Sequence, residues 1–151
     1  SALLSPLKAL GRYEPGMPPG APARTPVAQQ ETAGTTHFVA VDRMGNVATY
    51  TSTIEGPFGS QIAVNGYMLN NELTDFTRVP VKDGFLVANR PQAGKRPLSS
   101  MSPTIVYDAK GQPVFTVGAA GGKTIIMQVA KALIAHLDWG LPAREALGEG
   151  L

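Results

Sequence analysis

Residues 35–53 read TTHFVAVDRMGNVATYTST. His37 to Arg43 is rich in β-branched and aromatic residues, Met44-Gly45-Asn46 carries turn chemistry, and Val47 to Thr53 is a second strand-forming run. Two such runs around a short glycine-bearing turn predict an antiparallel hairpin. Gly56-Pro57-Phe58-Gly59 ends it. Downstream, Gln61 to Val64 and Gly66 to Leu69 predict shorter strands, and Asn70 to Phe76 a helical turn. Residues 77–94 read as mostly polar and irregular, with Phe85-Leu86-Val87-Ala88 as their one contiguous apolar run. A second hairpin is predicted from Thr104–Tyr107 and Pro113–Val117 around Asp108-Ala109-Lys110-Gly111. A glycine loop, Gly118 to Gly122, then leads into a helix over Lys123–Trp139. Ile126, Val129, Ala130, Leu133, Ile134 and Leu137 recur at helical spacing and predict its apolar side. Gly140 stops that helix, and Pro142 suits the first turn of another, Ala143–Leu147. Strands in succession followed by helices predict an α+β layered fold. No internal repeat is visible.

Upstream of Thr35 the character differs. Residues 1–34 hold six of the thirteen prolines. Residues 14–25 therefore predict an exposed connector, polyproline-like in places, with neither helix nor inner strand. Leu3–Leu10 predicts a short helix.

Composition bounds the function. The chain has 151 residues, 43% of them apolar and 16% charged, which is one domain with enough apolar content for a core. Its 17 glycines and 13 prolines predict many turns. With no cysteine, a disulfide scaffold, a Cys zinc site, an iron–sulfur site and a thiol nucleophile are all excluded. No run reaches the ~18 apolar residues of a membrane span. The first sixteen residues do not predict a signal peptide, because Pro6, Lys8 and Gly11 interrupt any apolar core. The net charge of +2 is scattered, and only Lys95-Arg96 are adjacent basic residues, so nucleic-acid binding is not expected.

Three features carry candidate chemistry. The first is Gly34-Thr35-Thr36-His37. A threonine hydroxyl needs a base, and its own α-amine, with a pKa near ~8, serves once the chain is cut before it. The alternative is an ordinary strand start. The second is Gly118-Ala119-Ala120-Gly121-Gly122-Lys123-Thr124. It imitates a phosphate loop but is one residue short of Gly-x4-Gly-Lys-Ser/Thr. Small residues before a helix expose backbone N–H groups that suit a phosphate or an acyl-transfer oxyanion, or simply make a tight turn. The third is the run KRPLSSMSP, residues 95–103. Prolines on both sides stiffen hydroxyls that can donate to a carboxylate, with Lys95 or Arg96 adding charge, unless it is a solvated loop. His37 and His136, the two histidines, predict no metal site. Asn70-Asn71-Glu72 with Asp75 reads as a capped turn able to bind an ammonium.

The strings TTHFVAVD-x-x-GN, TSTIEGPFG, LNNELTDF, KRPLSSMSPTIV and GAAGG, in this order, resemble the γ-glutamyltranspeptidase family of N-terminal-nucleophile hydrolases. The resemblance covers residues 35–147 strongly. It implies half of a four-layer αββα sandwich, with two stacked antiparallel sheets and the helix over 123–139 in an outer layer. It also implies that residues 1–34 are the tail of a large subunit. Residues 35–151 would be a small-subunit catalytic core, truncated at its C-terminus, whose missing strands leave an exposed sheet face or edge.

Carried over residue by residue, Thr35 resembles the nucleophile freed by cleavage of the Gly34–Thr35 bond, and Thr53 the threonine that bonds to it and assists processing. Gly121 and Gly122 resemble the oxyanion donors. Ser99 and Ser100 resemble the residues that hold the substrate α-carboxylate, while Glu55, Glu72 and Asp75 resemble those that hold its α-amino group. Many members have Asn near Glu55 and Gln near Glu72, so this pocket is the more acidic. The resemblance implies no cofactor and a heterodimer with the large subunit of the same precursor, which holds a carboxylate-binding arginine. Glutathione or related γ-glutamyl compounds would be donors, and water, an amino acid or a peptide acceptors, in a periplasmic or extracellular setting. The fragment is expected to be inactive alone. Competing expectations are a glutaryl or cephalosporin acylase of the same family, a nucleotide-binding module using Gly118–Thr124, and a non-catalytic relative.

Overall fold

The computed structural model describes residues 34–148, together with residues 19, 20, 22 and 23. The helix expected at Leu3–Leu10 and most of the 14–25 connector lie outside the described residues. Strands β1 (Thr35–Val41) and β2 (Val47–Thr53) pair antiparallel in the register Thr35↔Thr53 to Val41↔Val47. One side chain closes their turn: Asp42 Oδ1 accepts from the amides of Met44 at 2.8 Å and Asn46 at 2.9 Å. The hairpin places the first residue of β1 directly opposite the last residue of β2, so Thr35 and Thr53 share one end of the ladder.

Next come two minimal hairpins. Strands β3 (Ala63–Val64) and β4 (Tyr67–Met68) flank Asn65 and Gly66, and β5 (Val81–Lys82) and β6 (Phe85–Leu86) flank Asp83 and Gly84. All four turn residues have φ between 51° and 84°, the mirror-image turn that matches strand twist. The second hairpin corrects the reading of residues 77–94 as irregular: Asp83-Gly84 is a turn signal strong enough to fold even two-residue strands. Between the two hairpins lies a 3-10 turn over Glu72–Asp75. Strands β7 (Thr104–Tyr107) and β8 (Pro113–Val117) repeat the first turn design, with Asp108 Oδ1 accepting from the amides of Lys110 and Gln112 at 2.8 and 2.9 Å.

Helix α1 spans Ile125–Leu137, entered through a 3-10 turn over Gly122–Thr124, and α2 spans Ala143–Gly148. The buried face of α1 is Ile125, Val129, Ala132 and Ala135, which keeps the predicted Val129, with the predicted Leu133 packed beside it, but turns away from the predicted Ile126, Ile134 and Leu137. Ile126, Ile134 and Leu137 are exposed. The reason is close approach. Ala132 joins the core with Val117, Ile125 and Val129, and Ala135 and, on α2, Ala146 are fully buried too, so small side chains take the tightest positions while Ile126, Ile134 and Leu137 stay exposed. A helix apolar nearly all round is built for burial on two sides. The core beneath it joins Val117, Ile125, Val129 and Ala132, with Met101, Phe115, Ala119 and Leu133 packed against them.

Among the described residues every strand pairs within its own hairpin, so the two wide stacked sheets expected for the sandwich are represented here by ribbons. Phe38 and Tyr50, paired across β1 and β2 with ring centroids 5.4 Å apart, stay half-exposed. No helix among the described residues is long and apolar enough to cross a membrane.

Candidate active site

The start of β1, the loop after β2, the 3-10 turn, the serine loop and the entry to α1 meet at one cleft. Thr35, Thr53, Glu55, Glu72, Asp75, Ser99, Ser100 and Gly122 all line it. Of the residues singled out from the sequence, Gly121 is next to the cleft rather than on its wall, and Gly34 precedes it in the chain. The cleft encloses about 40 Å³, room for a few waters or a small polar group. Its apolar wall, Leu98, Met101 and Ile125, was not anticipated; Ile125 belongs to the core as well.

The hydroxyl of Thr53 donates to the carbonyl of Gly34 at 3.3 Å and accepts from the amide of Glu55 at 2.8 Å. Gly34 is sterically required, because a Cβ there would run into the Glu55 carbonyl. Glu55 itself has φ 70°, an uncommon conformation for a residue with a side chain. Asn71 braces it. Its amide nitrogen donates to Glu55 Oε2 and to Thr74 Oγ1, and its Oδ1 accepts from the Gly56 amide at 2.9 Å.

The acidic end of the cleft is electrostatically loaded. Burial, a hydrogen bond to Asp75 and the negative charges of Asp75 and Glu55 push the Glu72 carboxyl from an ordinary 4.5 up to about 7. Glu72 Oε1 is buried with no hydrogen-bond partner among the described residues. Such an oxygen, in a cleft with two further carboxyl groups, suits a cation with N–H donors. Asn89 links this end to the serine end: it donates to the Asp75 carbonyl at 2.5 Å and accepts from the Leu98 amide at 2.9 Å. Lys95, expected to add charge beside the serines, instead donates to the carbonyls of Ala88 and Arg90. No group of three or more His, Cys, Asp or Glu among the described residues is arranged to hold a metal ion.

The glycine loop has Gly121 at φ 127° and Gly122 at φ 59°. Thr124 Oγ1, which a phosphate loop would offer to magnesium, donates to the Gly121 carbonyl at 2.9 Å and accepts from Gln128 at 2.7 Å. The loop is thus tied to its own helix, with Gly122 on the cleft wall. Behind it, the ring of His37 lies where a Cβ on Gly118 would be, and the same ring hydrogen-bonds Thr51 at 2.8 Å. The first hairpin and the loop after β8 are locked together through this contact. The sequence places Asn71 only within the polar cluster at 70–75 and gives Asn89 and the His37 side chain no bracing role; the partners that define these roles come from other segments of the chain.

The family model described as gamma-glutamyltranspeptidase matches residues 8–150. The glutathione hydrolase proenzyme of Bacillus subtilis (strain 168) is 48% identical over 117 residues, 76% of this chain and 19% of the relative. A threonine-to-alanine mutant of Helicobacter pylori gamma-glutamyltranspeptidase superposes with a TM-score of 0.62 at 38% identity, covering 74% of this chain and 63% of that one. A gamma-glutamyltranspeptidase inhibited by acivicin, whose C-terminus is described as critical in autoprocessing and catalysis, gives 0.62 and 38% over 74% of this chain and 62% of that one. This chain spans about a fifth of the length of the curated relatives it matches. Their α+β N-terminal-nucleophile fold is the one it shares, and on the match over residues 8–150 the chain belongs to the gamma-glutamyltranspeptidase family.

Proposed function

We propose that the protein carrying this chain is a γ-glutamyl transferase and hydrolase whose nucleophile, Thr35, is released by cleavage of the Gly34–Thr35 bond. The observation that carries the reading is the shared cleft. Thr35, a loop glycine, two serines and three carboxyl groups line it, and Glu72 Oε1 is buried there unpaired. A γ-glutamyl group brings an α-ammonium for the carboxyl groups and an α-carboxylate for the serine hydroxyls. A glutaryl group has no ammonium and leaves Glu72 unpaired, which favours the amino-acid substrate over the acylase alternative.

In the precursor, the Thr35 hydroxyl attacks the Gly34 carbonyl carbon. The oxygen that gains charge is the one to which Thr53 donates. The C–N bond breaks as the nitrogen takes up the proton the hydroxyl gave up, leaving a Gly34 ester on the Thr35 oxygen and a free α-amine, and water then hydrolyses the ester to a Gly34 carboxylate and the Thr35 hydroxyl. In the mature site that amine takes the hydroxyl proton as Thr35 attacks the γ-glutamyl carbonyl, with backbone N–H groups at Gly121 and Gly122 facing the oxyanion. The proton passes to the leaving amine. Water or an incoming amine then attacks the acyl-threonine, giving glutamate or a new γ-glutamyl amide. The large subunit is the partner that completes the site, and glutathione is a donor of the right chemistry.

The test is intact mass and turnover of the full-length protein. Cleavage after Gly34, abolished by Thr35→Ala, together with faster use of a γ-glutamyl anilide than of a glutaryl anilide, is expected. An uncut chain that still turns over γ-glutamyl anilide overturns the processing step. A preference for the glutaryl compound overturns the substrate assignment.

A further inference from the structure

We propose that Asn71 is a specificity-determining positioning residue: it aims the Glu55 carboxylate at the substrate α-ammonium without touching the substrate. The inference rests on the functional reading above. Glu55 lines the cleft but lies in a loop, just past the end of β2, in a left-handed conformation that a side chain disfavours. A long carboxylate on such a backbone needs an external brace, and Asn71 supplies one from the neighbouring segment. Its backbone amide donates to the Ile54 carbonyl at 3.2 Å, which fixes the Asn71 main chain beside the loop.

The orientation of its side-chain amide follows from chemistry. Gly56 N–H is a donor only, so the atom 2.9 Å from it is the acceptor Oδ1. Nδ2 must then face the other way, towards Glu55 Oε2 and Thr74 Oγ1. Asn71 holds the Oε2 oxygen of Glu55, which leaves Oε1 as the oxygen for an incoming N–H donor. Asn71 does not line the cleft. Its reach into specificity is through Glu55.

An isosteric Asn71→Asp keeps an acceptor for Gly56 but puts an oxygen where Nδ2 donated, so Glu55 is repelled instead of held. Asn71→Ser removes the amide nitrogen without adding charge. The readout is the ratio of kcat/KM for a γ-glutamyl anilide to that for a glutaryl anilide, measured in the full-length, matured protein. The ratio cancels any difference in the amount of active enzyme. It is expected to fall about ten- to hundredfold in Asn71→Asp, the scale of a lost charge-assisted hydrogen bond, through a higher KM for the γ-glutamyl compound alone. If Asn71→Asp does not mature, Asn71→Ser carries the same comparison with the fall at the lower end of that range. A wild-type protein that cleaves neither anilide refutes the functional reading itself. A wild type that favours the γ-glutamyl compound, with an unchanged ratio in the variant, refutes the role of Asn71 alone.

Discussion

Thr53 Oγ1 donates to the carbonyl of Gly34 across the open end of the first hairpin, at 3.3 Å, while accepting from the Glu55 amide at 2.8 Å. The second bond fixes the hydroxyl so that its proton has one direction left, towards the carbonyl that would charge up in the proposed cleavage. Thr53→Ala is expected to slow appearance of the cleaved species about a hundredfold, the usual cost of losing one oxyanion donor. Thr53→Ser, which keeps the hydroxyl, is expected to process at near the native rate. Intact-mass time courses on purified precursor check both, and equal rates for Ala and Ser would remove Thr53 from the processing step.

Gly118 and His37 make a second relationship with a sharp consequence. The imidazole occupies the space of a Gly118 side chain and is held on β2 by Thr51. Gly118→Ala is expected to destabilise by about 1–3 kcal/mol through overpacking and to displace the loop that carries Gly121 and Gly122. Thermal denaturation should show a lowered Tm, with a fall in kcat rather than a rise in KM. Because the clash is with one ring, adding His37→Ala should recover part of the stability, and a strictly additive double variant would argue against the contact.

Both long hairpins were legible in the sequence because each is local: β-branched strands flank an aspartate whose carboxylate closes the turn. The hairpin at Asp83-Gly84 is equally local, but its two-residue strands give no periodicity to see. The face of α1 was misread for a different reason. Hydrophobic spacing ranks large residues as inward, whereas Ala132 and Ala135 are buried and Ile126 and Ile134 are exposed. Residues that line the cleft were found through short strings that resemble a family, with their physical chemistry consistent beside them. Asn71 falls within one of those strings but its role as a brace does not show there, and Asn89 falls in none, because their work is to join segments that only the folded chain brings together.

Asn89 joins the two ends of the proposed substrate site. Its side chain spans from the Asp75 carbonyl, at the acidic end, to the Leu98 amide, just before the serines. Asn89→Ala removes both bonds and lets the two ends drift, so α-ammonium and α-carboxylate no longer fit simultaneously. KM for a γ-glutamyl anilide is expected to rise about tenfold with kcat within about threefold of native, since the nucleophile and the glycine loop are untouched. Steady-state kinetics on the matured protein check this, and an equal loss in kcat would place Asn89 in the chemistry instead.

Glu72 makes the site pH-sensitive in a predictable direction. Its carboxyl is pushed from 4.5 up to about 7, first by burial and then by Asp75 and Glu55. The folded site therefore holds a proton that the unfolded chain releases, and the contribution to stability is fully present below about 4.5 and lost as pH rises through about 7. An arriving α-ammonium favours the ionised form, so substrate binding expels that proton and tightens as pH climbs through the same window. The groups facing Glu72 are Glu55, Asp75 and, after processing, the Thr35 amine, which titrates near ~8 and acts on kcat. KM for a γ-glutamyl anilide is thus expected to fall as pH rises to about 7 and to level off above it, while Tm of the free protein falls earlier, between about pH 4.5 and 7, and is flat above that. Glu72→Gln should flatten both trends while leaving the amine's limb in kcat, and a KM profile in Glu72→Gln identical to the native one would show that the binding proton resides elsewhere.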